Sequence, residues 1–317
     1  MPSLEDKKII VTGGAGFLGS YVVENLIKKR GLSPRDVFVP RQEDYNLCEK
    51  YDCERLAKMG YDIIIHLAAK VGGTSFLKEK RGEIIYDNVM MGFQLVESAR
   101  RYGVEKVVVV GTANSYPEFT AVPFKEENLW LGYPAEANAS YGLAKGILHE
   151  LVKAYRIQYG FNAIYLLLAA LYGPRDHFVS DRSQVIPASI KKVADAHRGS
   201  RDYIEMWGNG SFTRDFLYVE DAAEGIVLAA EKYNKSGAVN IGSGRETSIK
   251  EMIEAVCHLM NFKGEIRWDN SKSGGLPRCA LDISRAEKEF GFRAQTVFED
   301  GLKRTIEWYS NNIHKPF

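Results

Sequence analysis

At 317 residues, 45% hydrophobic and 26% charged, the chain has the length for one large α/β domain or two lobes around a cleft. A net charge of +1, with no Lys/Arg run interleaved with aromatics, argues against nucleic acid as a partner. Cys48, Cys53, Cys257 and Cys279 show neither CxxC spacing nor a histidine cluster, so reduced thiols, a cytoplasmic location and no metal site are expected. The Met1 to Lys8 segment is polar and lacks an apolar signal region, and the longest apolar run, Ala163 to Leu171, is too short for a bilayer, so no membrane is expected.

In chain order, Lys8 to Thr12 is a short β-branched run that predicts a buried strand. It feeds Thr12-Gly13-Gly14-Ala15-Gly16-Phe17-Leu18-Gly19, and a helix is expected over Phe17 to Arg30, stopping at Gly31. Gly13, Gly16 and Gly19 permit a tight turn, close backbone approach to a pyrophosphate and close helix-on-strand packing, with the helix N-terminus facing the anion. Gly13, Gly16, Phe17 and Leu18 are therefore cofactor-binding candidates.

A second strand, Val37 to Val39, ends at Pro40-Arg41 without the carboxylate that NAD sites usually place there. Arg41 suits a 2′-phosphate, so NADP(H) is preferred; Glu43 and Asp44 lie close enough to leave NAD(H) open. The strand Asp62 to His66 runs into Leu67-Ala68-Ala69, where small residues would let phosphates and ribose lie against the backbone at Ala68 and Ala69. His66 reads as a packed strand-end histidine. Asn88, polar on the otherwise apolar helix Glu83 to Tyr102, binds backbone or water near the site or serves the fold.

Next come a strand, Lys106 to Val110, a helix, Asn138 to Tyr159, ending at Gly160, and a strand, Asn162 to Leu168. Strands alternating with helices predict an α/β fold with a Rossmann-type doubly wound parallel sheet. Beyond Gly173 the pattern loosens around Pro174, Pro187, Gly199, Gly208 and Gly210. Helices are expected at Val185 to Ala196, Ala222 to Tyr233, Ile249 to Leu259 and Val297 to Ser310, with a strand at Val239 to Gly242. The expected division is a Rossmann domain over 1–173, with returning segments near 212–245, and a smaller C-terminal substrate-binding lobe made mainly from 174–317.

Tyr141 and Lys145 lie one helical turn apart and project from one face. A phenol is a useful proton donor or acceptor near neutral pH when its pKa of about 10 is pulled down, and a nearby lysine can do this while also holding a ribose. Thr112, where the strand Val107 to Val110 ends in Gly111-Thr112, points into the cleft where doubly wound proteins bind ligands. Thr112, Tyr141 and Lys145 form a candidate hydride-transfer site: Thr112 would bond a carbonyl oxygen, Tyr141 would move its proton and Lys145 would tune Tyr141.

Thr12 to Gly19, Asp62 to Ala69, Thr112, Tyr141/Lys145, Tyr172-Gly173-Pro174 and Arg214 to Asp221 together resemble the extended short-chain dehydrogenase/reductases of the NAD-dependent epimerase/dehydratase family, over nearly the whole chain. Ala69-Lys70-Val71-Gly72-Gly73, Tyr172 to Asp176 and Val185-Ile186-Pro187 are similar to GDP-L-fucose synthases, which epimerise a GDP-4-keto-6-deoxymannose at C3 and C5 and then reduce C4 with NADPH. The resemblance implies a nucleotide-sugar substrate contacted by Lys192, Trp207 and Arg214, and a homodimer built on the two long helices.

The departures lie around one pocket. Where that family has its epimerisation Cys and His, this chain has Asn114 and Gln184, which remain substrate-binding candidates. The Asn before Leu-Tyr-Gly-Pro is Ala170, and Cys279 follows Arg278 where a second basic residue is usual. Neither amide can carry a proton off carbon and back. The expected activity is NADP(H)-dependent reduction of the C4 ketone of a GDP-linked 4-keto-6-deoxy sugar, without C3/C5 epimerisation. Three alternatives stay open: a bifunctional GDP-L-fucose synthase with another acid/base pair such as His177, a C4 epimerase or dehydrogenase retaining NAD, and a silent sugar-nucleotide-binding protein. Ser115 has too high a pKa to replace the thiol unaided.

Overall fold

The β-branched runs of the N-terminal half pair into a parallel sheet. The computed structural model describes residues 4–178, 183–271 and 276–312. Its first half comprises β1 (Ile9–Thr12), α1 (Phe17–Glu24), β2 (Val37–Phe38), α2 (Lys50–Ala57), β3 (Ile63–His66), α3 (Thr74–Glu79), α4 (Arg81–Arg101), β4 (Lys106–Thr112), α5 (Ala139–Tyr159) and β5 (Ala163–Leu168). There follow β6 (Ala170–Tyr172), α6 (Val185–Arg198), β7 (Tyr203–Trp207), β8 (Thr213–Arg214), β9 (Phe216–Tyr218), α7 (Val219–Lys232), β10 (Val239–Ile241), β11 (Thr247–Ser248), α8 (Ile249–Leu259), β12 (Glu265–Asp269), α9 (Ser284–Phe290) and α10 (Phe298–Asn312).

Six strands form one parallel sheet in the order β2-β1-β3-β4-β5-β10. β1, β3 and β5 are buried along their whole length, which is why they read as unbroken apolar runs and not as alternating ones. The chain leaves β1 first toward β2 and then, on the other side, toward β3. That reversal is the switch point of a doubly wound sheet, and it places the glycine loop at the carboxyl ends of the strands.

The helix expected over Phe17 to Arg30 is α-helical only to Glu24, and Asn25–Lys29 forms a π-helical turn closed by Arg30 N donating to Asn25 O at 3.1 Å. The wide turn presents Arg30 to α7. There its guanidinium donates to both oxygens of Glu224, at 2.7 and 2.8 Å, and to Glu231 at 3.1 Å. Tertiary ion pairing thus overrides the local helical period. The strands β7 and β12 had no clear sequence signal, because each is short and only partly buried. They pair in parallel, and β7 packs against α6.

Two apolar clusters result. The first surrounds the large sheet and takes in Leu217, Val219, Ile226, Val239 and Ile241, as well as Leu281, Phe290 and Phe292 from the last third of the chain. The second joins Ile186, Ile190, Ile204, Met206, Ile253, Val256 and Leu302. Among the described residues no helix is long and apolar enough to cross a membrane.

Asp215 links the two clusters. Its fully buried carboxylate accepts from Ser243 N at 2.8 Å, Ser243 Oγ at 2.6 Å, Gly244 N at 3.2 Å and Leu281 N at 3.3 Å, and its backbone oxygen accepts from Ala170 N at 3.0 Å. Removing the carboxylate strands several buried donors. Asp215→Ala is expected to cost about 3 kcal/mol or more in urea unfolding, and Asp215→Asn less, since one oxygen still accepts. Equal, sub-kcal effects of the two would contradict this role.

Candidate active site

At the switch point, Gly13 has φ +71°, and a Cβ there would lie 2.8 Å from Ala68 N. A Cβ on Gly19 would fall 2.0 Å from Gly13 O, so α1 packs on the loop only because Gly19 has no side chain. Gly16 has more room, with Gly13 O at 3.3 Å from its Cβ position. Phe17 and Leu18 pack partly buried against the first cluster. The loop is thereby drawn against Ala68, and its backbone N–H groups at the start of α1 suit a pyrophosphate. Arg41 is exposed just past β2, with no side-chain partner among the described residues, and Glu43 and Asp44 are exposed beside it.

His66 is buried, 2.9 Å through Nδ1 from Thr12 Oγ1, which also accepts from Ala68 N at 3.4 Å. Burial, aided by the charge of Lys145, pushes the imidazole down to about 3, so it stays neutral and serves packing. Asn88 clamps the following loop: its Nδ2 donates to Lys70 O at 2.9 Å and Ile84 O at 2.7 Å, and its Oδ1 accepts from Lys70 N at 3.1 Å. Its role is structural, on a loop that walls the site.

β4 delivers Thr112 half-buried, with Oγ1 accepting from Asn114 N at 3.2 Å. α5 presses close to the turn that follows, because Gly142 is bare: a Cβ there would lie 2.3 Å from Asn114 O. Ser115 Oγ donates to Gly142 O at 2.8 Å and Tyr165 Oη to Lys145 O at 2.8 Å, fixing α5 to β4 and β5. Tyr141 is 8% exposed and packs with Phe76, Leu77 and Ile84, while Ala69 lies alongside; Lys145 is 2% exposed. Burial dominates both groups. It pushes the Tyr141 phenol up, opposite to the lowering expected from Lys145, and the Lys145 amine down to about 8. A phenol held protonated at neutral pH is a proton donor, and an amine at about 8 is still mostly charged.

Between β7, β8, α6 and α3 lies a cavity of about 790 Å³ lined by Gln184, Lys192, Trp207 and Arg214 together with Ala170, Ser75, Lys78 and Asn209. Lys192 Nζ donates to Glu205 O at 2.7 Å, and Arg214 Nη1 to Thr213 O at 2.6 Å and Leu276 O at 2.7 Å. Lys78, Lys192 and Arg214 are cationic and no Asp or Glu is among the described lining residues, so the cavity favours an anion. Ser75, Lys78 and Asn209 were missed from sequence. Only the i, i+3 spacing of Ser75 and Lys78 after Gly72-Gly73 could have signalled the first two.

Asn114 is not among the lining residues; its Oδ1 accepts from Asn138 Nδ2 at 3.1 Å. Gln184 Nε2 donates to Gly72 O at 3.2 Å. His177 is exposed and does not line the cavity. Cys279 is buried beside Arg214, its thiol pushed up to about 12 by burial, and Arg278 forks onto Glu246 at 2.7 and 2.8 Å. Among the described residues no three His, Cys, Asp or Glu side chains cluster as a metal site.

The depressed Lys145 pKa has a stability consequence. Unfolded, the amine titrates near 10.5; folded, near 8, so the unfolded chain binds more protons between these values and stability rises with pH there. Lys145→Met is expected to stabilise the protein at pH 7 by up to about 3 kcal/mol, an advantage that shrinks as pH rises from 8 to 10.5. Urea unfolding at several pH values checks this, and a constant difference would contradict the burial reading.

A model of the NAD dependent epimerase/dehydratase family matches residues 9–242. A GDP-L-fucose synthase of Sinorhizobium fredii (strain NBRC 101917 / NGR234) is 36% identical over 311 residues, 98% of each chain. Among solved structures, a GDP-6-OMe-4-keto-L-xylo-heptose reductase from C. jejuni superposes with a TM-score of 0.90 at 25% identity, covering 98% of this chain and 99% of that one. MlghC, a GDP-mannoheptose C4 reductase from Campylobacter jejuni with NADP bound, gives 0.86 at 25% identity, with the same coverage.

Proposed function

The chain belongs to the NAD dependent epimerase/dehydratase family, and on that premise we propose that it is an NADP(H)-dependent oxidoreductase that reduces the C4 ketone of a GDP-linked 4-keto sugar without epimerising C3 or C5. The observation that carries this reading is the state of two amides. By the resemblance, Asn114 and Gln184 take the places of a thiol and an imidazole of GDP-L-fucose synthases, and both are held in hydrogen bonds, to Asn138 and to Gly72 O. An amide does not titrate near neutral pH, so Thr112, Tyr141 and Lys145 are present for ketone reduction while neither amide can carry a proton off carbon and back.

The cofactor's place follows from the backbone. The loop through Gly13 and Gly16, with Phe17 and Leu18, would hold the pyrophosphate; Ala68 and Ala69 would carry the adjoining ribose and phosphates; Arg41 would take a 2′-phosphate. The NADP-bound reductase supports that preference. Bound NADPH supplies the hydride. Thr112 holds the ketone oxygen, protonated Tyr141 gives its proton to the nascent alkoxide, and Lys145 holds the ribose and favours the phenolate left behind. Arg214 and Lys192 meet the diphosphate, and Trp207, half-exposed at the cavity wall, offers a face to the rest of the nucleotide. α4 and α5 pack side by side and leave Ile85, Tyr86 and Ile147 exposed, an apolar face that supports a homodimer, to be checked by the mass in solution.

The bifunctional alternative draws no support from His177, which lies exposed and off the cavity. Incubation with NADPH and GDP-4-keto-6-deoxymannose in deuterated water separates the two. The expected outcome is NADPH consumption with no deuterium at C3 or C5 of the product. Deuterium at either carbon would sink the no-epimerase claim.

A further inference from the structure

α3 both packs on Tyr141 and lines the substrate cavity. Phe76 and Leu77, each 5% exposed, bury themselves with Tyr141 and Ile84. Ser75 and Lys78, three positions apart and so on one face, line the cavity. The entry to α3 is held on both sides, at Lys70 by Asn88 and at Gly72 by Gln184. Lys78 has no hydrogen bond or ion pair among the described residues, unlike the cavity's other cations, Lys192 and Arg214, which come from α6 and β8 and donate to backbone oxygens.

This placement assigns the ends of the ligand, given the reductase reading on which it rests. The reacting C4 sits at Tyr141, and C1, which bears the nucleotide, lies across the ring. The α3 wall therefore faces substituents next to C4, and the one that projects farthest is the group on C5. A methyl there offers no acceptor to a hydroxyl or an ammonium, and it would strip water from Lys78 without return. We propose that Ser75 and Lys78 are specificity-determining residues that bind an oxygen on an extended C5 substituent, so that the preferred substrate is a GDP-linked 4-keto sugar whose C5 chain carries a hydroxyl beyond the first carbon. Lys78 supplies the charge-assisted donor, and Ser75 fixes the oxygen's second contact.

The test compares GDP-4-keto-6-deoxymannose with its homologue bearing a hydroxymethyl group on that methyl, in NADPH-dependent turnover by the full chain. Wild type is expected to favour the homologue by about ten-fold or more in kcat/KM, mainly through KM. Lys78→Met should remove the preference by lowering kcat/KM for the homologue more than for GDP-4-keto-6-deoxymannose, Ser75→Ala should reduce it, and Lys78→Arg should keep part of it. Thermal unfolding confirms that each variant is folded. If wild type reduces both substrates equally, or Lys78→Met slows both by the same factor, the inference is overturned and the reductase reading stands. If wild type reduces neither, both fall.

Discussion

The buried carboxylate of Asp215 is the joint on which the site depends. Its backbone oxygen ties it to Ala170 at the start of β6, its side chain gathers the turn after β10 and Leu281, and its neighbour Arg214 lines the cavity. One residue thus holds the cavity floor in register with the sheet that positions Tyr141. A cofactor cradle and a substrate cavity are useful to each other only at fixed separation, because hydride transfer needs reacting atoms within about 3.5 Å. A charged group with several fixed donors resists sliding better than apolar contact, which is non-directional.

Burial then decides how the proposed reacting groups behave. Tyr141 and Lys145 are both nearly sealed, and desolvation works against charge on each. The expectation that Lys145 lowers the phenol's pKa treats the pair in isolation; in the fold the cost of burying a phenolate is larger. The outcome suits one direction of chemistry, since a protonated phenol gives a proton to an alkoxide. On the proposed reading Asn114 and Gln184 take no part in proton transfer, their amides being held by Asn138 and by Gly72 O.

Much of the N-terminal half was legible because its signals are local. The strand runs around Ile9, Ile64 and Val108, the glycine loop and the stop at Gly160 follow from backbone freedom and periodicity. The stretch after Asn25 departed because its geometry answers to Glu224 and Glu231, some two hundred residues away. β7 and β12 gave little pattern because each is five residues long and partly exposed, so the alternation of β7 spans too few positions to stand out. At the site, Lys192, Trp207 and Arg214 came from family resemblance, and the structure brings them to one cavity. Ser75 and Lys78 were not read because an i, i+3 polar pair on a six-residue helix means little until its other face is seen against Tyr141.

The proposed activity moves a hydride onto C4 of a GDP-linked 4-keto sugar and leaves the neighbouring carbons alone. The most direct measurement supplies NADPH deuterated at nicotinamide C4, in ordinary water, and reads the product by NMR. Deuterium is expected at C4 of the sugar, with the configuration at C3 and C5 unchanged. Deuterium that stays in the cofactor, or a product inverted at C3 or C5, would contradict it.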